Sequence, residues 1–160
     1  MPIRAITDGM WGSILELEAA AYAGIEPESL ETLKSKWVAS PELCFVYELE
    51  GQVVAYLLAH SWNSMEPPKL FEPLDNPCDG PVLFLHDLVV SRSTKGMGIG
   101  KLMVEHLFSV ADPNRFDIAL LVSVQNSQIF WEKNNFSLID RGRLSPGYGQ
   151  GAVLMQKGVR

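Results

Sequence analysis

Apolar residues follow two patterns along this chain, and the alternation of these patterns predicts the order of its elements. Runs that are apolar throughout, or that alternate apolar with polar residues, predict strands at residues 3–7, 42–49, 52–62, 82–90, 116–123, 136–140 and 152–157. Apolar residues at helical spacing predict helices at 9–22, 27–39, 99–111 and 126–133. The order β-α-α-β-β-β-α-β-α-β-β predicts the α/β class: one mixed sheet of about seven strands with helices on both faces.

The ends of the first two helices carry recognisable signals. Asp8 is a candidate cap for the first helix, whose core-facing side is mixed because Glu18 follows Ile14 at helical spacing. Pro27 is predicted to begin the second helix, which ends before Pro41.

Two features of the middle of the chain suggest where a site lies. The strands at 82–90 and 116–123 are apolar on both faces, which is typical of central strands. The segment 63–81 carries five prolines together with several apolar residues. A loop of this length inside one domain is usually functional, so we expect it to form a wall of a substrate site rather than a bystander loop.

Composition narrows the class of protein. The chain has 160 residues, 47% hydrophobic and 20% charged, which predicts a single globular domain over residues 1–160. A net charge of −6 argues against nucleic acid as a partner. No apolar run approaches the roughly 20 residues that span a bilayer, and the first residues lack a signal-peptide core. We therefore expect a cytoplasmic protein with no membrane partner.

The cysteines do not point to a metal site. Cys44 lies in an apolar run and is predicted to be a core residue, whereas Cys78 lies in the proline-rich segment. Neither has metal-ligand spacing, and two cysteines do not form a disulfide framework. A catalytic thiol is the less favoured alternative at either position.

A glycine-rich turn joins the central strand 82–90 to the helix at 99–111. It reads Lys95-Gly96-Met97-Gly98-Ile99-Gly100-Lys101, and it brings backbone N–H groups to a helix start, where phosphate binds readily. The spacing is not that of a Walker A loop, and Lys101 stands where a dinucleotide fingerprint needs its third glycine. A turn that binds nothing is the alternative.

The turn resembles the pyrophosphate loop of the GNAT superfamily of acyl-CoA-dependent N-acetyltransferases. A second match lies downstream, where residues 121–136 resemble that family's strand, Asn-capped helix and aromatic-Glu-Lys segment. The resemblance extends over residues 52–157. The His86-Asp87 pair and the Pro67-Pro68 loop are similar to the subgroup related to arylalkylamine N-acetyltransferases.

This resemblance implies a fold, a cofactor and a set of binding residues. The fold is a GNAT-like sheet whose two central parallel strands splay apart, and the cofactor is acetyl-CoA or coenzyme A, with its arm in the gap. Residues before and in the glycine-rich turn, and residues of the downstream helix, are implied as its binding site: Leu88, Val89, Val90, Lys95, Gly96, Met97, Gly98, Ile99, Gly100, Lys101, Asn126 and Trp131.

The expected reaction is direct attack of an amine on the thioester, with no acyl-enzyme. A primary amine has a pKa near ~10.4 and must lose a proton, for which His86 is the best candidate base. A buried core histidine is the alternative reading of His86. Asp87 alternates to the other face of its strand unless a bulge intervenes, and it is a candidate to orient or attract the ammonium.

The chain departs from the family at the residue that protonates the departing thiolate. The family commonly has a tyrosine where this chain has Trp131, whose indole is no useful acid. Tyr148 is the nearest candidate substitute, and unassisted departure is the alternative. Asn135 replaces a family glycine and can adopt positive φ.

Three functions remain open at this stage. The first is acetyl transfer to a small primary amine, and the second is acetylation of a protein lysine or N-terminus. The third is a non-catalytic CoA-binding module, which the Trp131 replacement motivates. A homodimer is compatible with the resemblance.

Overall fold

The computed structural model describes residues 2–22, 27–69, 71–74, 79–124, 127–139, 148 and 151–159. Its strands, numbered along the chain, are β1 Ile3–Ala5, β2 Phe45–Leu49, β3 Gln52–Trp62, β4 Val82–Val90, β5 Ile118–Ser123, β6 Ser137–Leu138 and β7 Val153–Gly158. Its α-helices are α1 Trp11–Ala21, α2 Leu30–Ala39, α3 Ile99–Val110 and α4 Gln128–Lys133. The predicted order of elements is therefore confirmed.

The strands form one seven-stranded sheet in the order β1-β2-β3-β4-β5-β7-β6. Only β4 and β5 pair in parallel, and every other neighbouring pair is antiparallel. The parallel pairing extends from Val82–Ile118 to Phe84–Leu120 and stops there, although both strands continue. The two central strands thus splay apart beyond Phe84, as expected from the resemblance.

Helices cover both faces of the sheet. On one face, Trp11 and Ile14 of α1 and Leu33 of α2 pack against Tyr56 and Leu58 of β3. On the other face, apolar residues of α3 pack against the sheet in a separate cluster that includes Ile99, Met103, Leu107, Leu57, Leu83 and Leu85. The strands β4 and β5, whose apolar sequences predict burial on both faces, lie inside the sheet with strands on either side of each.

Some element boundaries differ from the predictions for local reasons. Helix α2 begins at Leu30 rather than at Pro27, because the Ser29 side chain accepts the N–H of Thr32 and caps the helix there. Residues 8–10 form a 3-10 turn before α1, and Met10 occupies the N-cap position of α1, so Asp8 is not the cap. Asn135 has a φ of 71°, which confirms that it adopts the conformation of the glycine it replaces.

No helix among the described residues is long and apolar enough to cross a membrane.

Candidate active site

A cavity of about 790 Å³ lies between the splayed strands and reaches from the glycine-rich turn to the ends of α1 and α2. Its walls contain most of the residues predicted from the sequence: His86, Asp87, Leu88, Val89, Val90, Lys95, Gly96, Gly98, Ile99, Gly100, Lys101, Trp131 and Tyr148. Met97 is not part of the cavity wall and is 56% exposed. Asn126 and Cys78 lie outside the described residues.

The glycine-rich turn owes its shape to two residues with positive φ. Gly96 has a φ of 86° and Gly98 a φ of 75°, values that L side chains rarely adopt. Gly98 is the residue immediately before α3, so the first amides of the helix follow directly. At Gly100, a Cβ atom would lie 3.1 Å from Cζ of Phe130. This close approach brings the start of α3 against α4.

The splay leaves amides of β4 without a strand partner on the β5 side. Ser91 N–H donates to the Val54 carbonyl, so this pair is hydrogen-bonded across the β3–β4 ladder. Because antiparallel partners alternate, the Leu88 and Val90 N–H groups point away from β3 and toward the gap. Two backbone donors therefore face the cavity, as polarisation of a thioester carbonyl requires.

A β-bulge puts His86 and Asp87 on the same face of the sheet. Leu58 pairs with Asp87, whereas the next residue, Ala59, pairs with Leu85, so His86 is the extra residue in β4. Asp87 contacts Tyr22, just after α1, and His86 contacts Glu28, two residues before α2, on the face those helices cover. Strict alternation along β4 would have placed Asp87 on the face opposite His86, and the bulge breaks this alternation. Both side chains therefore reach the same end of the cavity.

Asp87 has both oxygens occupied. Tyr22 donates to Oδ1 over 2.6 Å, and Tyr56 donates to Oδ2 over 2.5 Å. Burial raises the pKa of Asp87 despite the opposing charge of His86 and the two hydroxyl bonds. Burial beside this carboxylate also raises the pKa of both tyrosines. Asp87 therefore orients Tyr22, itself a residue of the cavity wall.

Glu28 links His86 to the loop that follows β3. Its Oε1 lies 2.8 Å from His86 Nε2, and its Oε2 accepts the N–H of Phe71 over 3.1 Å. Burial raises the pKa of Glu28, but the bond and charge of His86, the Phe71 amide and Lys36 together hold it below the usual value. An ionised Glu28 keeps a proton on Nε2 and leaves Nδ1 as the ring atom with no described partner.

The loop at 63–81 is fastened to α2, in accord with its expected role as a wall. The fully buried Lys36 donates from Nζ to the Glu72 carbonyl over 3.2 Å, and Ser35 Oγ accepts the Leu74 N–H. Phe71, held at a φ of 65°, lines the cavity. Ser35 and Lys36 of α2, together with Glu28 before it, therefore fix the position of this wall.

Tyr148 also contacts the loop at 63–81. Its hydroxyl donates to the Pro68 carbonyl over 2.5 Å, and burial raises its pKa. Trp131 is 7% exposed and packs among Phe130 and Phe136. Proton donation by Tyr148 to a departing thiolate stays a prediction. It requires the hydroxyl to break its hydrogen bond to the Pro68 carbonyl and to donate to the thiolate sulfur instead.

Other titratable residues behave as core residues. His60 is fully buried, and burial lowers its pKa to about 3. Cys44 is also fully buried, and burial raises the pKa of its thiol to about 12, which makes it a poor nucleophile. His106 packs edge-on against Phe45.

The end of the cavity that contains His86 and Asp87 is also lined by four residues that the sequence did not indicate as site residues: Glu18, Tyr22, Glu28 and Phe71. Glu18 carried a signal, because a charged residue continues the buried positions of Trp11 and Ile14 on α1. Phe71 lies in the segment 63–81 that the sequence predicts to be a wall, but its own contact with Glu28 was not predicted. Tyr22 and Glu28 depend on contacts between elements that are far apart in sequence, and no local pattern marks them.

Comparison with known proteins identifies the family. Residues 11–136 match the family model described as the acetyltransferase (GNAT) family. The chain therefore belongs to the GNAT family and is an acyltransferase. A search of curated proteins gives no match.

Solved structures with the same fold include proteins of several activities. Ard1 from Thermoplasma volcanium is 16% identical, with a TM-score of 0.76 over 99% of this chain and 97% of that one. The GphF GNAT-like decarboxylase, in complex with isobutyryl-CoA, is 17% identical, with a TM-score of 0.80 over 100% of both chains. N-acetylglutamate synthase from Neisseria gonorrhoeae, with coenzyme A and N-acetyl-glutamate, is 13% identical, with a TM-score of 0.73 over 99% of this chain and 35% of that one. These likenesses show the fold alone, and the proteins named differ in activity.

Proposed function

We propose that this protein transfers the acetyl group of acetyl-CoA directly to the amine of a small molecule. The observation that carries the proposal is the single cavity that joins the glycine-rich turn to the cluster of His86, Glu28 and Asp87. An acetyl-CoA molecule held at the glycine-rich turn and an amine held at this cluster would meet beside the splayed part of β4.

The residues present fit a CoA thioester. The positive φ of Gly96 and Gly98 and the free amides at the start of α3 suit a diphosphate, and Lys95 and Lys101 bring positive charge to the same wall. The Leu88 and Val90 amides suit the carbonyl oxygen. The structures of related fold that contain coenzyme A or isobutyryl-CoA support the same ligand class. When bound, acetyl-CoA supplies the activated acetyl group.

In this proposal His86 removes a proton from the acceptor ammonium. Glu28 holds Nε2–H, so Nδ1 carries the lone pair that accepts the proton, and the ionised Glu28 stabilises the imidazolium that results. Asp87 has both oxygens bonded to tyrosines, which leaves it an orienting and electrostatic role. Tyr148 is the candidate donor to the departing thiolate.

A small acceptor is favoured over a protein because of the wall formed by the loop after β3. Glu28 holds Phe71 in the cavity wall, while Lys36 of α2 and Tyr148 bond to backbone carbonyls of the same loop. The loop therefore occupies space that an open peptide groove would need. The carboxylates of Glu18, Glu28 and Asp87 favour a cationic acceptor. A protein amine is the alternative, since the proteins that share this fold include the ribosomal-protein-S18-alanine N-acetyltransferase from Escherichia coli.

A thiol-release assay with acetyl-CoA tests the proposal. The acceptors are aryl-alkylamines, polyamines, aminoglycosides, amino acids and a peptide with a free N-terminus. We expect free CoA to appear with at least one small amine, together with its N-acetyl product by mass spectrometry. Turnover with the peptide alone would favour the protein acceptor. Tight CoA binding without turnover would favour a non-catalytic CoA-binding module.

A further inference from the structure

One carboxylate oxygen of Glu18 is buried, yet no contact within the described fold satisfies it. The residue is 3% exposed and lies in the cavity wall. Its Oε2 accepts the Glu28 N–H over 3.1 Å, whereas Oε1 is buried and has no hydrogen-bond partner in the part of the chain that the structure describes. Leaving a buried carboxylate oxygen unpaired costs on the order of 1–3 kcal/mol or more, because it loses its bonds to water.

The neighbouring carboxylates do not share this property. Asp87 is bonded to two tyrosines, and Glu28 is bonded to His86 and to the Phe71 amide. Glu18 Oε1 is therefore the carboxylate oxygen of this cluster that has no hydrogen-bond donor among the described residues. Its partner has to be a hydrogen-bond donor, and a cation is the best match to an anionic oxygen.

We propose that Glu18 Oε1 is the acceptor-binding atom of the site and receives an N–H of the incoming ammonium group. This inference rests on the proposed function, and it adds a residue that holds the acceptor while His86 removes the proton. It also defines the acceptor class: a primary amine with no carboxylate next to its amino group, since such a carboxylate would face Glu18, Glu28 and Asp87. Free amino acids are thereby disfavoured.

The electrostatic surroundings of Glu18 make this contact measurable. Burial, together with Asp87 and Glu28, raises the pKa of Glu18 to about 7, despite the Glu28 N–H bond. The groups that face it are Asp87 on β4, Glu28 before α2, Tyr22 after α1 and Tyr56 on β3. An ammonium ion at Oε1 favours the ionised form, so its binding lowers the pKa of Glu18 and releases the carboxyl proton to solvent.

The direct test follows the Glu18 carboxyl carbon by NMR in the wild-type protein labelled at glutamate. Ethylammonium serves as the probe, because it is a minimal primary ammonium ion, and ethanol serves as the neutral control. The Glu18→Gln variant assigns the resonance. We expect the titration midpoint near pH 7 to fall by about one unit or more with saturating ethylammonium and to stay unchanged with ethanol. Glu16, exposed on the same helix, provides the matched carboxyl that does not respond.

Kinetics supply the second arm, with an acceptor found by the thiol-release assay. Glu18→Gln keeps an oxygen for the Glu28 N–H and removes the charge. We expect it to raise the KM for the amine about 10- to 100-fold and to leave the KM for acetyl-CoA unchanged, as loss of a charge-assisted hydrogen bond implies. Glu16→Gln removes the same charge from the helix surface and should leave both KM values unchanged.

The outcomes separate this inference from the proposed function. An unmoved Glu18 midpoint, or equal amine KM values in the two variants, overturns the role of Glu18 even when thiol release proceeds. A shifted midpoint in a protein that releases no thiol with any amine would preserve the ammonium site and overturn acetyl transfer.

Discussion

Glu28 Oε1 lies 2.8 Å from His86 Nε2, and the other oxygen of the same carboxylate accepts the backbone N–H of Phe71. One side chain thus sets both the protonated nitrogen of the histidine and the position of the aromatic wall residue. The pair is buried, with side-chain exposures of 8% for Glu28 and 2% for His86, so solvent does not compete for these bonds.

Replacing His86 tests its role as the base. We expect His86→Gln to lower kcat about 10²- to 10⁴-fold near neutral pH, which is the usual contribution of a general base. The loss should shrink as pH rises, because a larger share of the amine is then already deprotonated. The measurement is the profile of kcat from about pH 6 to about pH 9. Unchanged activity across this range would reject the base role.

Replacing Glu28 tests the positioning of His86. Glu28→Gln keeps an oxygen for one partner and removes the negative charge that stabilises the imidazolium. We expect a fall in kcat of about tenfold or more, smaller than that of His86→Gln, with little further loss in the double variant. Glu31→Gln, which removes an exposed carboxylate from the first turn of α2, is the control. Losses that multiply in the double variant would show that the two residues act independently.

The glycine-rich turn is tested by two substitutions with matched backbone strain. Gly98 has a φ of 75°, and Gly51, in the hairpin between β2 and β3, has a φ of 77°. Neither Cβ would meet another atom within 4 Å, so alanine strains both sites alike, by about 1 kcal/mol. We expect both variants to lose similar stability in urea, but only Gly98→Ala to weaken CoA binding in calorimetry. Equal CoA affinity in both would remove this turn from the binding site.

Tyr148→Phe tests protonation of the thiolate. We expect kcat to fall about tenfold or more while the Kd of CoA stays unchanged, because the hydroxyl is needed only when the sulfur departs. Tyr47→Phe removes the same atom from a residue of the core cluster on the sheet and serves as the control. Wild-type kcat in Tyr148→Phe would mean that the thiolate leaves unassisted.

The raised pKa of Glu18 predicts a pH-dependent cost to stability. Because its pKa is raised to about 7, this carboxyl stays protonated up to about pH 7 in the folded protein, whereas in the unfolded chain it loses the proton near 4.5, the ordinary pKa of glutamate. Stability therefore falls as pH rises between these two values and levels off above them. We expect Glu18→Gln to gain up to about 3 kcal/mol over the wild type from about pH 4 to about pH 8 in urea unfolding. A constant difference between the two proteins would contradict the raised pKa.

Local patterns predicted the elements that position the site. The bounds of β3 and β4 match the apolar runs, and the glycine spacing predicted the turn before α3. Such features depend on residues that are neighbours in sequence, so periodicity and turn chemistry suffice to find them. The start of α2 differs from the prediction because Pro27 and Ser29, two residues apart, are both start signals, and the Ser29 side chain caps the helix.

The acidic end of the cavity could not be predicted in the same way. The bulge at His86 exists only in the pairing of β4 with β3, and the Glu28–His86 bond joins residues 58 positions apart. Glu18 is the exception, since a carboxylate on the buried stripe of α1 is a local signal. The tertiary contacts were needed to show that it lies beside Asp87 and Glu28.

The most direct test of the account is a calorimetric titration of the protein with acetyl-CoA and with CoA. We expect each ligand to bind with one molecule per chain, and Gly98→Ala to weaken the binding of both while Gly51→Ala weakens neither. Absence of heat with either ligand, under conditions where the protein is folded, would contradict the claim that the gap between β4 and β5 holds a thioester.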